Sequence, residues 1–125
     1  MGRGYKGDTG HHHSITENLP SLTSDYEYHN GYFGDKGISS GVVRNIKSDE
    51  PIKTAKDFYD KAAHGGLEFE MSNGKGVFAK MQDGTIISYR EVSSSDGSPA
   101  VDINIKKSRD HGSIKQQKIH FVKGR

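Results

Sequence analysis

The chain has 125 residues, a length that predicts one domain and excludes a two-domain enzyme. Hydrophobic residues make up only 30% of the sequence, so we expect a small core. There is no cysteine, which excludes disulfides, thiolate metal sites and thiol catalysis. No apolar run is long enough for a membrane span and no signal-peptide pattern opens the sequence, so we expect neither feature.

The charge is distributed unevenly along the chain. Residues 103–125 carry seven Lys or Arg and one acid, whereas residues 1–102 carry 11 basic and 15 acidic side chains. This asymmetry favours a polyanionic partner, although a solvated basic tail has the same composition.

The first 40 residues hold seven glycines and have neither a helical nor an alternating apolar period. We interpret residues 1–30 as a linker or irregular arm and residues 31–125 as the folded domain. The aromatic residues near Gly31 indicate that the stretch to Gly37 lies on the core. We expect no metal site at His11–His13, because consecutive side chains of a strand point in opposite directions.

One helix is predicted after residue 50. Its apolar residues recur at helical spacing at Ala55, Phe58, Tyr59 and Ala62. Thr54 is positioned to cap its N-terminus, with Asp57 completing a capping box, and Gly65 ends it.

After the helix the apolar period changes to two, which predicts antiparallel strands. Leu67, Phe69 and Met71 alternate with polar residues, and Asn73-Gly74 and Asp83-Gly84 indicate hairpin turns. Further strands are predicted at residues 85–92, 100–106 and about 115–122. The predicted fold is α+β, with the arm and one helix packed on a four- to five-stranded antiparallel sheet.

Strand alternation separates an apolar face from a polar one. The polar residues that share the second face are Ser88, Arg90, Asp102, Asn104, Lys118 and His120. With the helix on the apolar face, we expect these residues on the solvated side of the sheet. Polar residues are also what any such face carries, so parity alone does not define a site.

These residue types suit cleavage of RNA through its own 2′-hydroxyl. A base removes the 2′ proton, cations stabilise the charge that develops on phosphorus, and an acid protonates the leaving 5′-oxygen. Histidine suits either proton role because its ordinary pKa lies near 6.5. Arg90 would bind the phosphate as a fork and Lys118 as a point charge, and His111 is a second candidate acid or base. This chemistry needs no cofactor and no metal.

Four stretches carry a resemblance to a known family: GYFGDKG, DEPIKTAKDFYDKAAHGG, YREVSSSDGSPAVDINI and IKQQKIHF. Residues 31–122 resemble the C-terminal toxin domains of bacterial polymorphic toxins of the LXG and contact-dependent inhibition type. The third stretch, residues 89–105, is the most specific. Such domains are similar to the ribonuclease fold group of barnase, EndoU and the colicin-type ribonucleases.

The resemblance implies a toxin delivered as the C-terminus of a larger secreted protein and active in the target-cell cytoplasm. It implies an RNA substrate, with tRNA among the candidates, a cognate immunity protein, no cofactor and no membrane in this domain. The implied catalytic residues are His120, Arg90, Lys118, Asp102 and Ser94, with His111 in reserve. The expected substrate contacts are Ser88, Asn104, Lys106 and Lys115. The sequence departs from the barnase-like pattern because Glu91, the nearest candidate for a general-base glutamate, has inward parity.

Two other function classes stay open. A metal-dependent DNase is suggested by Gly10-His11-His12, which resembles the start of one group of toxin nucleases, although the rest of that motif is not recognisable. A nucleic-acid-binding module without catalysis would need stacking aromatic residues on the polar face. The predicted strands offer few of these.

Overall fold

The computed structural model describes residues 14–37, 42–93 and 97–124. The elements in chain order are α1 (Ile15–Asp25), β1 (Tyr28–His29), β2 (Tyr32–Phe33), β3 (Asp35–Lys36), β4 (Val43–Ser48), α2 (Pro51–Ala62), β5 (Leu67–Glu70), β6 (Gly76–Lys80), β7 (Ile86–Arg90), β8 (Ala100–Asn104) and β9 (Gln117–Lys123). Neither helix in this described part has the length and apolar character that a membrane span requires.

Seven strands form one sheet in the order β3-β4-β9-β8-β7-β6-β5, and β1 and β2 form a separate hairpin. Every neighbouring pair in the sheet is antiparallel except β4 and β9, which are parallel. The predicted α+β class is confirmed, but the predicted number of four or five strands is wrong. The additional strands β3 and β4 lack apolar alternation, and each residue of β4 is paired with a residue 75 positions further along the chain, as Val43 is with Lys118, so local patterns did not reveal them.

The predicted irregular arm is wrong for residues 15–25, which form helix α1. Its buried residues are Ile15, Asn18 and Leu22. The Asn18 side-chain amide donates hydrogen bonds to the carbonyls of Ala62 and His64, both at 2.9 Å, and so ties α1 to the end of α2. A polar residue, Asn18, takes one of the three buried positions and Pro20 lies inside the helix, so the sequence carries only a weak helical pattern here.

Helix α2 covers one face of the sheet. It begins at Pro51, in the first turn that proline favours, so the predicted cap at Thr54 is wrong. The predicted apolar stripe is confirmed, because Ala55, Phe58, Tyr59 and Ala62 are all buried. The ring of Phe58 lies 5.0 Å from that of Phe33 and 5.7 Å from that of Phe121, between centroids. Phe33 also confirms that the stretch from Gly31 lies on the core.

A buried glutamine joins the β1–β2 hairpin to the sheet. Gln117 is 2% exposed, and its Oε1 accepts a hydrogen bond from the Phe33 backbone N–H at 2.9 Å. Its Nε2 donates to the carbonyls of Gly31 and Lys115, at 2.9 Å and 2.7 Å. One side chain therefore satisfies three backbone groups, and it does so on the helix-facing side of β9.

The predicted turn at Asp83-Gly84 is confirmed. Gly84 has a φ of 99°, and a Cβ atom at this position would collide with the carbonyl oxygen of Lys107. The buried Asp83 carboxylate accepts hydrogen bonds from the hydroxyls of Thr85 and Ser108, each at 3.0 Å. The turn is thus anchored to the segment after β8, which holds the central strands in register.

Candidate functional site

The face of the sheet opposite α2 carries a row of polar side chains in cross-strand register. Ser88 of β7 is paired with Asp102 of β8, and Asp102 is paired with Lys118 of β9. Directly paired residues of antiparallel strands point to the same side. All three are half-buried, whereas their sequence neighbours Ile87, Val101 and Ile119 are fully buried against α2. We call this side the open face.

A second row runs beside the first. Arg90 is paired with Ala100, and Ala100 with His120, so a methyl group separates the two functional side chains. Two strand spacings put the Arg90 and His120 backbones roughly 10 Å apart. The predicted common face for Asp102 and His120 is confirmed by this register, while the roles of these residues stay predictions.

The Asp102 carboxylate lies in a partly desolvated position among cations. Burial raises the pKa of Asp102 above its usual value. The charges of Lys118, Arg90 and Lys106 act in the opposite direction and lower that pKa, but they do not cancel the effect of burial. The protonated form of this carboxyl is therefore more accessible near neutral pH than that of an ordinary aspartate.

His120 lies at the end of the second row but is only 4% exposed. Its Nδ1 shares a hydrogen bond of 2.9 Å with the hydroxyl of Ser98, and the Phe121 backbone N–H donates to the Pro99 carbonyl at 2.9 Å. The segment before β8 therefore covers the ring, and half-buried Ser98 is a direct link between the ring and the surface.

Sequence reasoning missed Ser98. It selected Ser94 from the same serine-rich loop, and Ser94 lies outside the described residues, as do His11–His13. The available signal was that Ser98 lies two residues before the strand predicted from Ala100. A residue there continues the line of that strand and so lies beside the neighbouring strand β9, which carries His120. Asn45 was missed as well: it is paired with His120 across the parallel strands, so it lies on the open face.

Of the remaining predicted substrate contacts, Asn104 lies at the far end of the open face. Asn104 is four residues along β8 from Ala100, or roughly 13 Å. Its Oδ1 accepts a hydrogen bond from the Lys106 backbone N–H at 3.0 Å, an arrangement that shapes the following turn. Lys106 and Lys115 have exposed side chains, and the Lys115 backbone N–H donates a hydrogen bond to the Gly31 carbonyl at 3.1 Å, so Lys115 lies beside the β1–β2 hairpin rather than in the polar rows.

The structure does not bring His111 near His120. Its Nδ1 shares a hydrogen bond of 3.1 Å with the Ile114 carbonyl, in the loop beyond β8. It lines a separate concavity of about 830 Å³, together with Tyr28 and Ile105. The two histidines therefore lie at opposite ends of the strands.

A cleft of about 840 Å³ lies between α2 and the ends of β5, β6 and β7. Of the predicted site residues that the structure describes, only Arg90 lines it. Glu91 also lines it and is exposed, and its charge adds to burial in raising the pKa of Tyr89. The cleft and the open face thus meet at Arg90, but Ser88, Asp102, Lys118 and His120 are not among the residues that line the cleft.

An aromatic pair lies on the open face, contrary to the expectation that stacking residues are scarce there. Phe69 of β5 is paired with Phe78 of β6, which in turn is paired with Ser88. The neighbouring Glu68 accepts a hydrogen bond from the Tyr59 hydroxyl at 3.0 Å on the helix side. Alternation along β5 therefore directs Phe69 away from α2.

Comparisons with protein-family models, with curated proteins and with solved structures found no match to this chain. Functional assignment therefore rests on the chemistry of the open face.

The raised pKa of Asp102 makes a testable link between the open face and stability. We expect Asp102→Asn to raise the free energy of unfolding at pH 7, because it removes a carboxylate whose ionisation burial disfavours. Because the pKa of Asp102 is raised in the folded protein, its ionisation lowers the free energy of unfolding as pH rises through the ordinary carboxyl range. Below that range the carboxyl is protonated in both states and this loss of stability is absent. The gain measured by urea unfolding should therefore shrink towards pH 3.

Ser88→Ala is the control, because it alters the same row as Asp102 without removing a charge. Its effect on the free energy of unfolding should not change between pH 3 and pH 7. A stability gain for Asp102→Asn that is equal at pH 3 and pH 7 would contradict the assigned cause.

Proposed function

We propose that the protein is an antibacterial toxin domain that cleaves RNA without a metal, by attack of the substrate's own 2′-hydroxyl. The observation that carries the proposal is the register that aligns Arg90, Asp102 and Lys118 on one solvent-facing surface, with His120 at its end. This is the set of side-chain types that the reaction requires.

In the proposed reaction the Arg90 guanidinium binds two oxygens of the scissile phosphate, and Lys118 adds a second positive charge. The 2′-hydroxyl gives its proton to the Ser98 oxygen while the Ser98 proton passes to Nδ1 of His120, across the 2.9 Å hydrogen bond. The 2′-oxygen forms a bond to phosphorus and the bond from phosphorus to the 5′-oxygen breaks. The leaving 5′-oxygen takes a proton from the Asp102 carboxyl, which burial favours in its protonated form.

The charge of the open face supports a polyanionic substrate. By register, its cations on the described strands are Lys47, Lys80, Arg90 and Lys118, and its carboxylates are Asp35 and Asp102. This excess of positive charge favours binding of a phosphate backbone and predicts that affinity decreases as salt increases.

The biological setting belongs to the same proposal. An active ribonuclease would damage the producing cell, so a cognate immunity protein would bind the open face with an acidic surface, and salt would slow its association. The toxin would be delivered as the C-terminus of a larger secreted protein and would act on RNA, with tRNA among the candidates, in the target-cell cytoplasm.

A nucleic-acid-binding module without catalysis is the second candidate. It is favoured by the burial of His120, 4% exposed, and by the aromatic pair on the open face.

The alternative of a metal-dependent DNase depends on His11–His13, which lie outside the described residues. Within the described ranges no cluster of three or more His, Asp or Glu side chains is arranged to hold a metal.

Incubation with total RNA in EDTA tests the proposed reaction. We expect fragments that end in a 2′,3′-cyclic phosphate, because 2′-hydroxyl attack leaves that group on the upstream product. A single-stranded RNA oligonucleotide should be cleaved in the same way. The matched control is this oligonucleotide with 2′-O-methyl groups in place of its 2′-hydroxyls, and it should stay intact. Cleavage that is lost on chelation and restored by a divalent cation would contradict the proposal and favour the metal-dependent nuclease, while binding without cleavage would favour the second candidate.

A further inference from the structure

The pair Phe69 and Phe78 is not explained by the packing of the core. The two rings are stacked, with centroids 5.4 Å apart and an angle of 22° between their planes. Phe69 is 44% exposed on the edge strand β5 and lies outside the buried core cluster. An exposed ring that is supported from one side by a second ring is a rigid flat surface.

We propose that Phe69 stacks on an unpaired nucleobase of the substrate, an inference that rests on the proposed function and adds a substrate class to it. Every nucleobase has a flat π surface, so stacking on an aromatic side chain binds single strands with little sequence preference. The Lys80 ammonium lies over the Phe69 ring, 5.4 Å from its centroid, on a flexible side chain that an incoming base can displace towards its own phosphate. A cation at this place can neutralise a phosphate of the stacked nucleotide.

The register connects this surface to the catalytic rows. Phe69, Phe78 and Ser88 are consecutive partners across β5, β6 and β7, so Phe69 and Ser88 are roughly 10 Å apart across two strand spacings. A strand of RNA that crosses the β-strands from this edge meets the aromatic pair, then Ser88 and Arg90, then Lys118.

The substrate class follows from the accessibility of the base. In an RNA duplex the bases are stacked on each other and paired, so their flat surfaces are not available to a protein side chain. Stacking at Phe69 therefore assigns single-stranded loops or ends, rather than duplex RNA, as the substrate.

Leu67 supplies a matched control for the experiment. It lies on the same strand and the same face as Phe69, by its pairing with Lys80, and it is 42% exposed. Phe69→Ala and Leu67→Ala therefore remove comparable exposed apolar groups, but only the first removes a π surface.

Binding is measured with a single-stranded oligonucleotide that carries 2-aminopurine and 2′-O-methyl groups, because this probe cannot undergo 2′-hydroxyl attack. We expect the wild-type protein to quench its fluorescence, and Phe69→Ala to bind roughly 5- to 150-fold more weakly, the range for loss of one stacked base. Leu67→Ala should bind within about twofold of wild type, and Phe69→Trp should restore quenching. With unmodified RNA, Phe69→Ala should raise KM and leave kcat nearly unchanged.

The outcomes separate the two proposals. Quenching that depends on Phe69 in a protein that does not cleave unmodified RNA would overturn the ribonuclease and leave the stacking site intact. Cleavage by the wild-type protein with equal binding by Phe69→Ala and Leu67→Ala would overturn the stacking site alone. If a Phe69→Ala protein instead loses only its binding to an immunity protein, the aromatic pair is a protein interface and the inference is wrong. A wild-type protein that neither binds the probe nor cleaves RNA would overturn both.

Discussion

His120→Ala should lower the rate of RNA cleavage by about 10²- to 10⁴-fold, the usual contribution of a positioned acid or base. In the proposed reaction His120 accepts the Ser98 proton as Ser98 takes the proton of the 2′-hydroxyl, and alanine cannot accept a proton. Substrate affinity should be nearly retained, because the buried ring makes no direct contact with the phosphate backbone. Single-turnover cleavage in EDTA, with binding to the 2′-O-methyl oligonucleotide measured in parallel, separates these two effects.

His111→Ala is the matched control, since it removes the same side chain at the other end of the strands. We expect cleavage near the wild-type rate, and a loss as deep as that of His120→Ala would instead indicate a two-histidine acid and base pair.

Arg90→Ala should lower both rate and affinity, because a phosphate contact acts in the ground state as well as the transition state. Wild-type cleavage by His120→Ala would show that the proposed mechanism is wrong.

Gln117→Ala should lower the free energy of unfolding by about 2–4 kcal/mol, because it leaves buried backbone groups without partners. The Phe33 N–H loses its Gln117 acceptor and the Lys115 carbonyl loses its Gln117 donor, whereas the Gly31 carbonyl keeps the hydrogen bond from the Lys115 N–H at 3.1 Å. Urea unfolding followed by circular dichroism measures the change. The rate of RNA cleavage by the folded fraction should change little, because Gln117 points towards the helix side of the sheet.

Gln116→Ala is the adjacent control of the same residue type. The Gln116 side chain accepts one hydrogen bond, from the Ile105 N–H at 3.2 Å, and is half-buried. We expect it to cost less than about 1.5 kcal/mol, the upper end for an ordinary hydrogen bond. Equal losses for the two variants would contradict the role assigned to the burial of Gln117.

The central strands were predictable because their local pattern agrees with their environment. In β7 and β8 large apolar residues recur at every second position, so the burial of Ile87, Val101 and Ile103 on the helix side followed from the sequence. Once these residues face α2, the period of two directs Ser88 and Asp102 to the open face. The composition of the two candidate rows could therefore be read before the structure was known.

Other parts depended on contacts between distant residues. Phe69 belongs to an alternating apolar pattern that resembles a buried strand, yet it is exposed because it points away from α2 on the edge strand β5. His120 has the parity of an exposed residue, yet it is buried because Ser98 and Pro99 extend along its strand. The alternation of apolar and polar residues along a single strand predicts neither the exposure of Phe69 nor the burial of His120.

The sequence by itself determined the fold class, helix α2, and the side of the sheet on which each central polar residue lies, because these follow from spacing of 3.6 or 2 residues along one element. Only the tertiary structure decided the parallel pairing of β4 with β9, the separation of His111 from His120, and the contact between Ser98 and His120. Those features arise where chain segments far apart in sequence meet, and the free energy of such contacts depends on the whole fold rather than on any local pattern.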